Sequence, residues 1–224
     1  MRFDGFGSQV GRWFAGLEAD NSRAYFLEER DFFELAIRDQ LEALLSELST
    51  RVGGDVRLFR QNRDIRFSAD KSPYKTHTAG LLERADAAPL YVSISGRGLV
   101  AGGGYQHMAR DQLDRFREAV AHERAGEELA RHVTKARKAG LQKWGQTLAT
   151  APRGYARDHE RIELLRHKGL TLGNTLALSG GISRRDGLSF VTKTWRAGAP
   201  VLSWLEEHVG ASRLAPAPRA RRRG

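Results

Sequence analysis

The sequence predicts an α+β fold: a mainly antiparallel sheet with flanking helices, a helical N-terminal segment and a C-terminal helix. Three observations carry this reading. Apolar residues recur at helical spacing from Phe33 to Leu48, alternate with period two around Leu90–Ile94, and return to helical spacing from Leu113 to Ala136 and again near the C-terminus. At 224 residues, 40% hydrophobic and 29% charged, the chain is long and apolar enough to bury a substantial core. Residues 1–210 are read as one domain and 211–224 as a disordered tail rich in Arg, Pro and Ala.

Taken in order, Phe3, Phe6, Trp13, Phe14 and Leu17 predict a short helical lead-in. From Asn21 a helix runs through Phe33, Ile37, Leu41, Leu44, Leu45 and Leu48 to a stop at Gly53-Gly54. Extended structure should dominate from Val56 to Tyr105. Val56 and Leu58, then Ile65 and Phe67, suggest strands, and Leu90, Val92 and Ile94 alternate with Tyr91, Ser93 and Ser95. Gly96-Arg97-Gly98 turns the last of these into Leu99-Val100-Ala101 as a hairpin. Helices follow through Leu113, Phe116 and Val120 and through Leu129, Val133 and Ala136 before Gly140. A second β-rich stretch takes Leu172, Thr175, Leu176 and Leu178, then Leu188, Phe190 and Val191. The last helix passes through Val201, Trp204, Leu205 and Val209.

The absence of cysteine excludes a disulfide framework, a thiolate metal site and a cysteine nucleophile. No charged leader precedes an apolar run and no stretch is long enough for a membrane span, so a soluble cytoplasmic protein is expected. The formal charge of +10 is uneven. Residues 1–50 hold five basic and ten acidic residues, whereas the tail holds Arg213, Arg219, Arg221, Arg222 and Arg223 and no acid. Such a tail offers non-specific affinity for nucleic acid, or is simply a solvated terminus.

Chemistry is densest from Arg60 to Thr76. Arg60, Arg63, Arg66, Lys71 and Lys75 face only two carboxylates, Asp64 and Asp70. Strand alternation would place Asp64 beside Arg66, and Pro73 should turn Asp70–Tyr74 back so that Lys71 and Tyr74 return near the arginines. Surplus guanidinium groups in a partly buried site must meet solvent, carboxylates from elsewhere or an anionic ligand. Arginine's planar fork suits phosphate or carboxylate, and Tyr74 adds a neutral donor. The alternative is an ionic scaffold in which Asp64 and Asp70 tie the arginines down.

The run from Arg60 to Tyr74 fits the pattern R-x-x-R-D-x-R-F-x-x-D-K-x-x-Y, which resembles the signature of the bacterial family known as domain of unknown function 2461. The resemblance extends to Asn21, Tyr25-Phe26 and Arg30, to Gly102-Gly103-Gly104-Tyr105, to Leu113-x-x-Phe116-Arg117, and to Pro152-Arg153-Gly154-Tyr155 with Asp158-His159. Tyr25 stands where that family has tryptophan, and Glu160 where proline is usual. The resemblance implies membership and brings no activity, substrate or catalytic residue with it.

Secondary candidates are Gly103, Gly104 and Tyr105, whose bare amides either approach a phosphate or mark a glycine-rich strand, and Arg153 and His159. Asp158 is read as a helix N-cap, with His159 as an acid–base candidate. The seven histidines make no paired-ligand spacing, so no metal and no cofactor is expected. Two function classes stay open: a ligand-binding protein or enzyme for a small phosphate-bearing or nucleotide-like anion, and a non-catalytic nucleic-acid-associated or protein-interaction module. Neither ligand, reaction nor oligomeric state is specified.

Overall fold

The computed structural model describes residues 2–66, 68–85 and 87–214. Phe67, one of the predicted strand positions, and residues 215–224 of the predicted tail lie outside these. Strand β1 (Gly5–Phe6) leads into helix α1 (Gln9–Ala19), which buries Val10, Trp13, Phe14 and Leu17. Phe3 and Phe6 therefore belong to extended chain ahead of the helix.

The helix expected from Asn21 is broken. The Ser22 hydroxyl accepts the Tyr25 amide at 3.1 Å and starts α2 (Arg23–Glu28). After α3 (Arg30–Phe32), a π-helical turn over Phe33–Arg38 feeds α4 (Asp39–Val52). Phe33, Ile37 and Leu41 are spaced by four. The wider π turn lets all three face the core, where a regular α-helix would drift off it. Gly53, at φ 75°, ends α4 as expected.

Six strands follow: β2 (Asp55–Leu58), β3 (His77–Glu83), β4 (Leu90–Ser95), β5 (Gly98–Tyr105), β6 (Gln142–Trp144) and β7 (Leu170–Ala177). They form one antiparallel sheet in the order β2-β3-β4-β5-β7-β6. The β4–β5 hairpin turns through Gly96-Arg97, with Ser95 opposite Gly98. Between β5 and β6 lie α5 (Arg110–Ala121) and α6 (Glu123–Lys138), and α7 (Ile162–Leu165) precedes β7. The fold is thus α+β.

Strand β8 (Ile182–Ser183) pairs with β1, and α8 (Arg184–His208) closes the fold. This corrects the strand expected at Leu188, Phe190 and Val191, which are all in α8. The Ser183 hydroxyl accepts the Asp186 amide at 3.2 Å and donates to the Asp186 carboxylate at 2.7 Å, starting the helix some fifteen residues before Pro200. Leu188, Val191 and Trp195 then fall on one buried face.

One face of the sheet, with Leu82, Leu90, Val92, Ile94, Leu99 and Ala101, packs under α1, α4 and α8. A second apolar cluster joins α5, α6 and α7 to the C-terminal half of α8. There the buried Arg161 donates to the Val120 carbonyl at 2.8 Å and the Ala121 carbonyl at 3.3 Å, capping the end of α5. The chain beyond α8 is held to α5. Asp111 accepts from the Ser212 hydroxyl and the Arg213 amide at 2.8 and 2.7 Å, and these bonds hold its carboxyl below the usual range. No helix among the described residues is long and apolar enough to cross a membrane.

Candidate functional site

The Arg60–Lys75 segment is an irregular excursion between β2 and β3. Asn62 bridges Tyr74, the Arg63 amide donates to the Pro73 carbonyl at 2.8 Å, and the Lys75 amide to the Gln61 carbonyl at 3.0 Å. Pro73 therefore returns the chain as expected, but no strand forms at Ile65. Asp64 and Arg66 do meet, through a local turn in which the Asp64 carboxylate also accepts the Arg66 amide at 3.3 Å.

Two side-chain amides, the half-buried Asn21 and the buried Gln61, hold the excursion's base. Asn21 accepts the Tyr74 amide at 2.9 Å and donates to the Tyr74 carbonyl at 3.2 Å, mimicking a neighbouring strand. Gln61 donates to the carbonyls of Lys75 and His77 and accepts from the Thr78 hydroxyl at 3.0 Å. Gln61 escaped the sequence reading because an uncharged residue among five cations carries no signal. The Tyr74 ring stacks on Phe26 at 4.1 Å and is only 7% exposed, so it anchors the segment in the core.

Most of the cations are engaged within the excursion. Arg63 pairs with Asp70, and Arg66 with Asp64 at 2.6 Å. Lys71 donates to the Ile65 carbonyl at 3.1 Å and Lys75 to the Arg60 carbonyl at 2.6 Å. The Arg66 hydrogen bonds hold the Asp64 carboxyl at about 2, and bonds from Ser72 and then Arg63 hold that of Asp70 lower still. The Arg60 side chain is exposed, with no hydrogen-bond or ion-pair contact among the described residues.

The stems of the excursion enter a cleft. Among the described residues no helix packs across the centre of the sheet face away from α8, and a cavity of about 680 Å³ opens on it. Its floor is made of Leu81, Tyr91, Val100 and Gly102, side by side on β3, β4 and β5, with Trp144 on the far side. Burial pushes the Tyr91 hydroxyl up from its usual range. At one end stand Phe59, Thr76, His77 and Arg97. Lys75 lies 5.8 Å over the Phe59 ring, and desolvation, then Arg60, lower its amine. His77 is lowered too, by desolvation and then by Lys75. Arg97 is exposed and has no ion-pair partner among the described residues. Glu18 supplies the lining's carboxylate.

Gly103 and Gly104 lie within β5, paired on both sides, and the Gly104 amide donates to the Pro89 carbonyl at 3.1 Å. They shape the cleft instead of offering free amides, and the reason for glycine is close approach. A Cβ on Gly102 would sit 2.6 Å from the Leu172 carbonyl oxygen, and one on Gly104 2.2 Å from that of Leu170. Tyr105 packs between the two apolar clusters.

The Arg153–His159 loop does not join this site. Tyr155 packs on the cluster of α5 and α6, Arg153 is exposed, and His159 accepts the Arg161 amide at 3.0 Å. Asp158 is not the N-cap expected of it, because Arg161 occupies that position and α7 starts only at Ile162. Among the described residues no group of three or more acidic or histidine side chains is placed to hold a metal ion.

Comparison with known proteins adds the lineage. No curated protein matches the chain. The family model described as "Conserved hypothetical protein (DUF2461)" matches residues 9–204, from the first residue of α1 into the last turns of α8, and the chain belongs to that family.

Proposed function

We propose that the protein binds a small anionic molecule with a flat apolar body, of the nucleoside monophosphate kind, in the cleft on the open sheet face. The observation that carries this is the cleft's polarity. Apolar and aromatic side chains and a bare glycine backbone form the floor and far wall, and basic groups gather at one end. The volume lies within the range of small-ligand sites. From the row of His77 and Ser95 to that of Leu81 and Tyr91 is four residues along each strand, about 13 Å, the length of a nucleotide. Glycine at 102 lets a flat ring lie on the strand, and Tyr91 and Trp144 offer it faces and edges. Arg97 meets the anionic group, with Lys75 and Arg60 close by. The Arg60–Lys75 segment is on this reading the cationic rim of the site, not the whole of it.

For the excursion itself, the pairs Arg63–Asp70 and Arg66–Asp64 favour a second role as an ionic scaffold. The reading assigns binding and no reaction.

Adenosine monophosphate and adenosine, titrated by calorimetry, test the proposal. Arg97→Gln removes one charge-assisted hydrogen bond and is expected to weaken the monophosphate by about tenfold to a hundredfold. Adenosine affinity should stay unchanged. Equal loss for both compounds, or no loss for either, contradicts the placement of the anionic group.

A further inference from the structure

A second basic surface lies on the helical side of the molecule. Residues 169–210 hold four basic and three acidic residues, so their sequence gives no hint of it. Helical periodicity separates the two signs. Glu206 and Glu207 fall in the last turns of α8, and Asp186 is bound to Ser183 at the first. Along the helix Arg185, Ser189, Thr192 and Arg196 recur at intervals of four, three and four on one stripe. Lys193 flanks it.

The stripe lines an open groove of about 560 Å³ beside the end of α4, whose cations are Arg51, Arg184, Arg185, Lys193 and Arg196. No carboxylate is in its lining. Arg184 is neutralised by Glu47 at 2.5 Å. The other four are exposed and have no ion-pair partner among the described residues. Like charges held along one groove repel one another, and an anion spanning them relieves that repulsion.

The shape decides what kind of anion. Arg185 and Arg196 are eleven residues apart, roughly 16 Å along the axis, too long for one phosphate and suited to a row of them. No aromatic side chain lines the groove, so nothing there stacks on a base. Guanidinium forks with a hydroxyl between them match phosphate oxygens.

We propose that the α4–α8 groove binds the phosphodiester backbone of a nucleic-acid strand without reading its sequence. The groove and the open-face cleft lie on opposite sides of the sheet, so either can fail without the other.

The test is fluorescence anisotropy of a mixed-sequence single strand, made as DNA and as RNA, titrated with the full chain over a salt series. Removing three contacts in R185Q/K193Q/R196Q should flatten the slope of log affinity against log salt by about 2, at about 0.7 per phosphate contact on a single strand. Arg196→Gln alone should flatten it by about 0.7, which keeps the test decisive if the triple variant folds poorly. The matched change R131Q/K135Q/K138Q on exposed positions of α6 should leave the slope unchanged. DNA and RNA should respond alike. Equal flattening by both triple variants would reduce the effect to net charge and overturn the proposal. So would an unaltered slope in the α8 variants, which would assign binding to the C-terminal arginines, or a response confined to one of the two strands.

Discussion

Trp195→Ala is expected to destabilise the protein by about 3–5 kcal/mol, the range for deleting a large buried aromatic side chain. Trp195, midway along α8, is 5% exposed, and its indole N–H donates to the Gly102 carbonyl at 3.0 Å. Gly102 is the cleft floor, so the same contact that seats α8 fixes the backbone on which the ligand would lie. Alanine leaves a cavity under that strand and takes away a buried donor. Trp195→Phe keeps most of the volume and should cost only about 1–2 kcal/mol, mainly from the lost hydrogen bond. Urea unfolding of the three proteins, with the slope held constant, measures both. A cost below about 1 kcal/mol for alanine would mean that α8 is not held to the sheet through this side chain.

Gly104→Ala should cost about 2–5 kcal/mol through backbone strain and overpacking together. Gly104 has φ 128°, and its added Cβ would meet a carbonyl oxygen of the neighbouring strand, which cannot rotate away as a side-chain end would. This separates the two roles open to the glycine run. A glycine kept for its amide would lose anion affinity while stability held. A glycine kept for strand approach loses stability first. Thermal unfolding alongside monophosphate titration distinguishes them, and retained stability with lost binding would reverse the assignment.

Much of the fold was legible because burial and periodicity coincide. The β4–β5 hairpin could be read from three alternating apolar residues and Gly96-Arg97-Gly98, and α5 and α6 from their apolar stripes. The errors fall where tertiary context outweighs local pattern. Leu188, Phe190 and Val191 read as strand because aromatic and β-branched residues suit strands, yet they sit in a helix that Ser183 and Asp186 start early. The helix expected from Asn21 is interrupted at Glu29 and widens into a π turn over Phe33–Arg38, neither of which leaves a mark in the apolar spacing. Strand β6 is three residues long and polar at two of them, too short to show a period.

The candidate site was half legible. The charge imbalance pointed to Arg60–Lys75, and that segment is anchored as a unit by Asn21, Gln61 and Phe26. What sequence could not show is that Asp64 and Asp70 bind Arg66 and Arg63 while Arg60 and Arg97 stay unpaired among the described residues. Nor could it show that Phe59, Tyr91, Val100 and Trp144, scattered over 86 positions, line one cleft, since their juxtaposition follows from sheet order alone.

The central claim is that the open sheet face is a ligand site, and Val100→Trp tests it most directly. Val100 is half-buried at the middle of the cleft, on a strand where tryptophan is well tolerated. Calorimetric titration with adenosine monophosphate should show binding to the wild-type chain and a loss of about a hundredfold or more in the variant, because the indole occupies the ligand's volume. The unfolding temperature of the variant should stay within a few degrees of wild type. A wild-type chain that fails to bind the monophosphate, or a folded variant that binds it as tightly as wild type, would contradict the account.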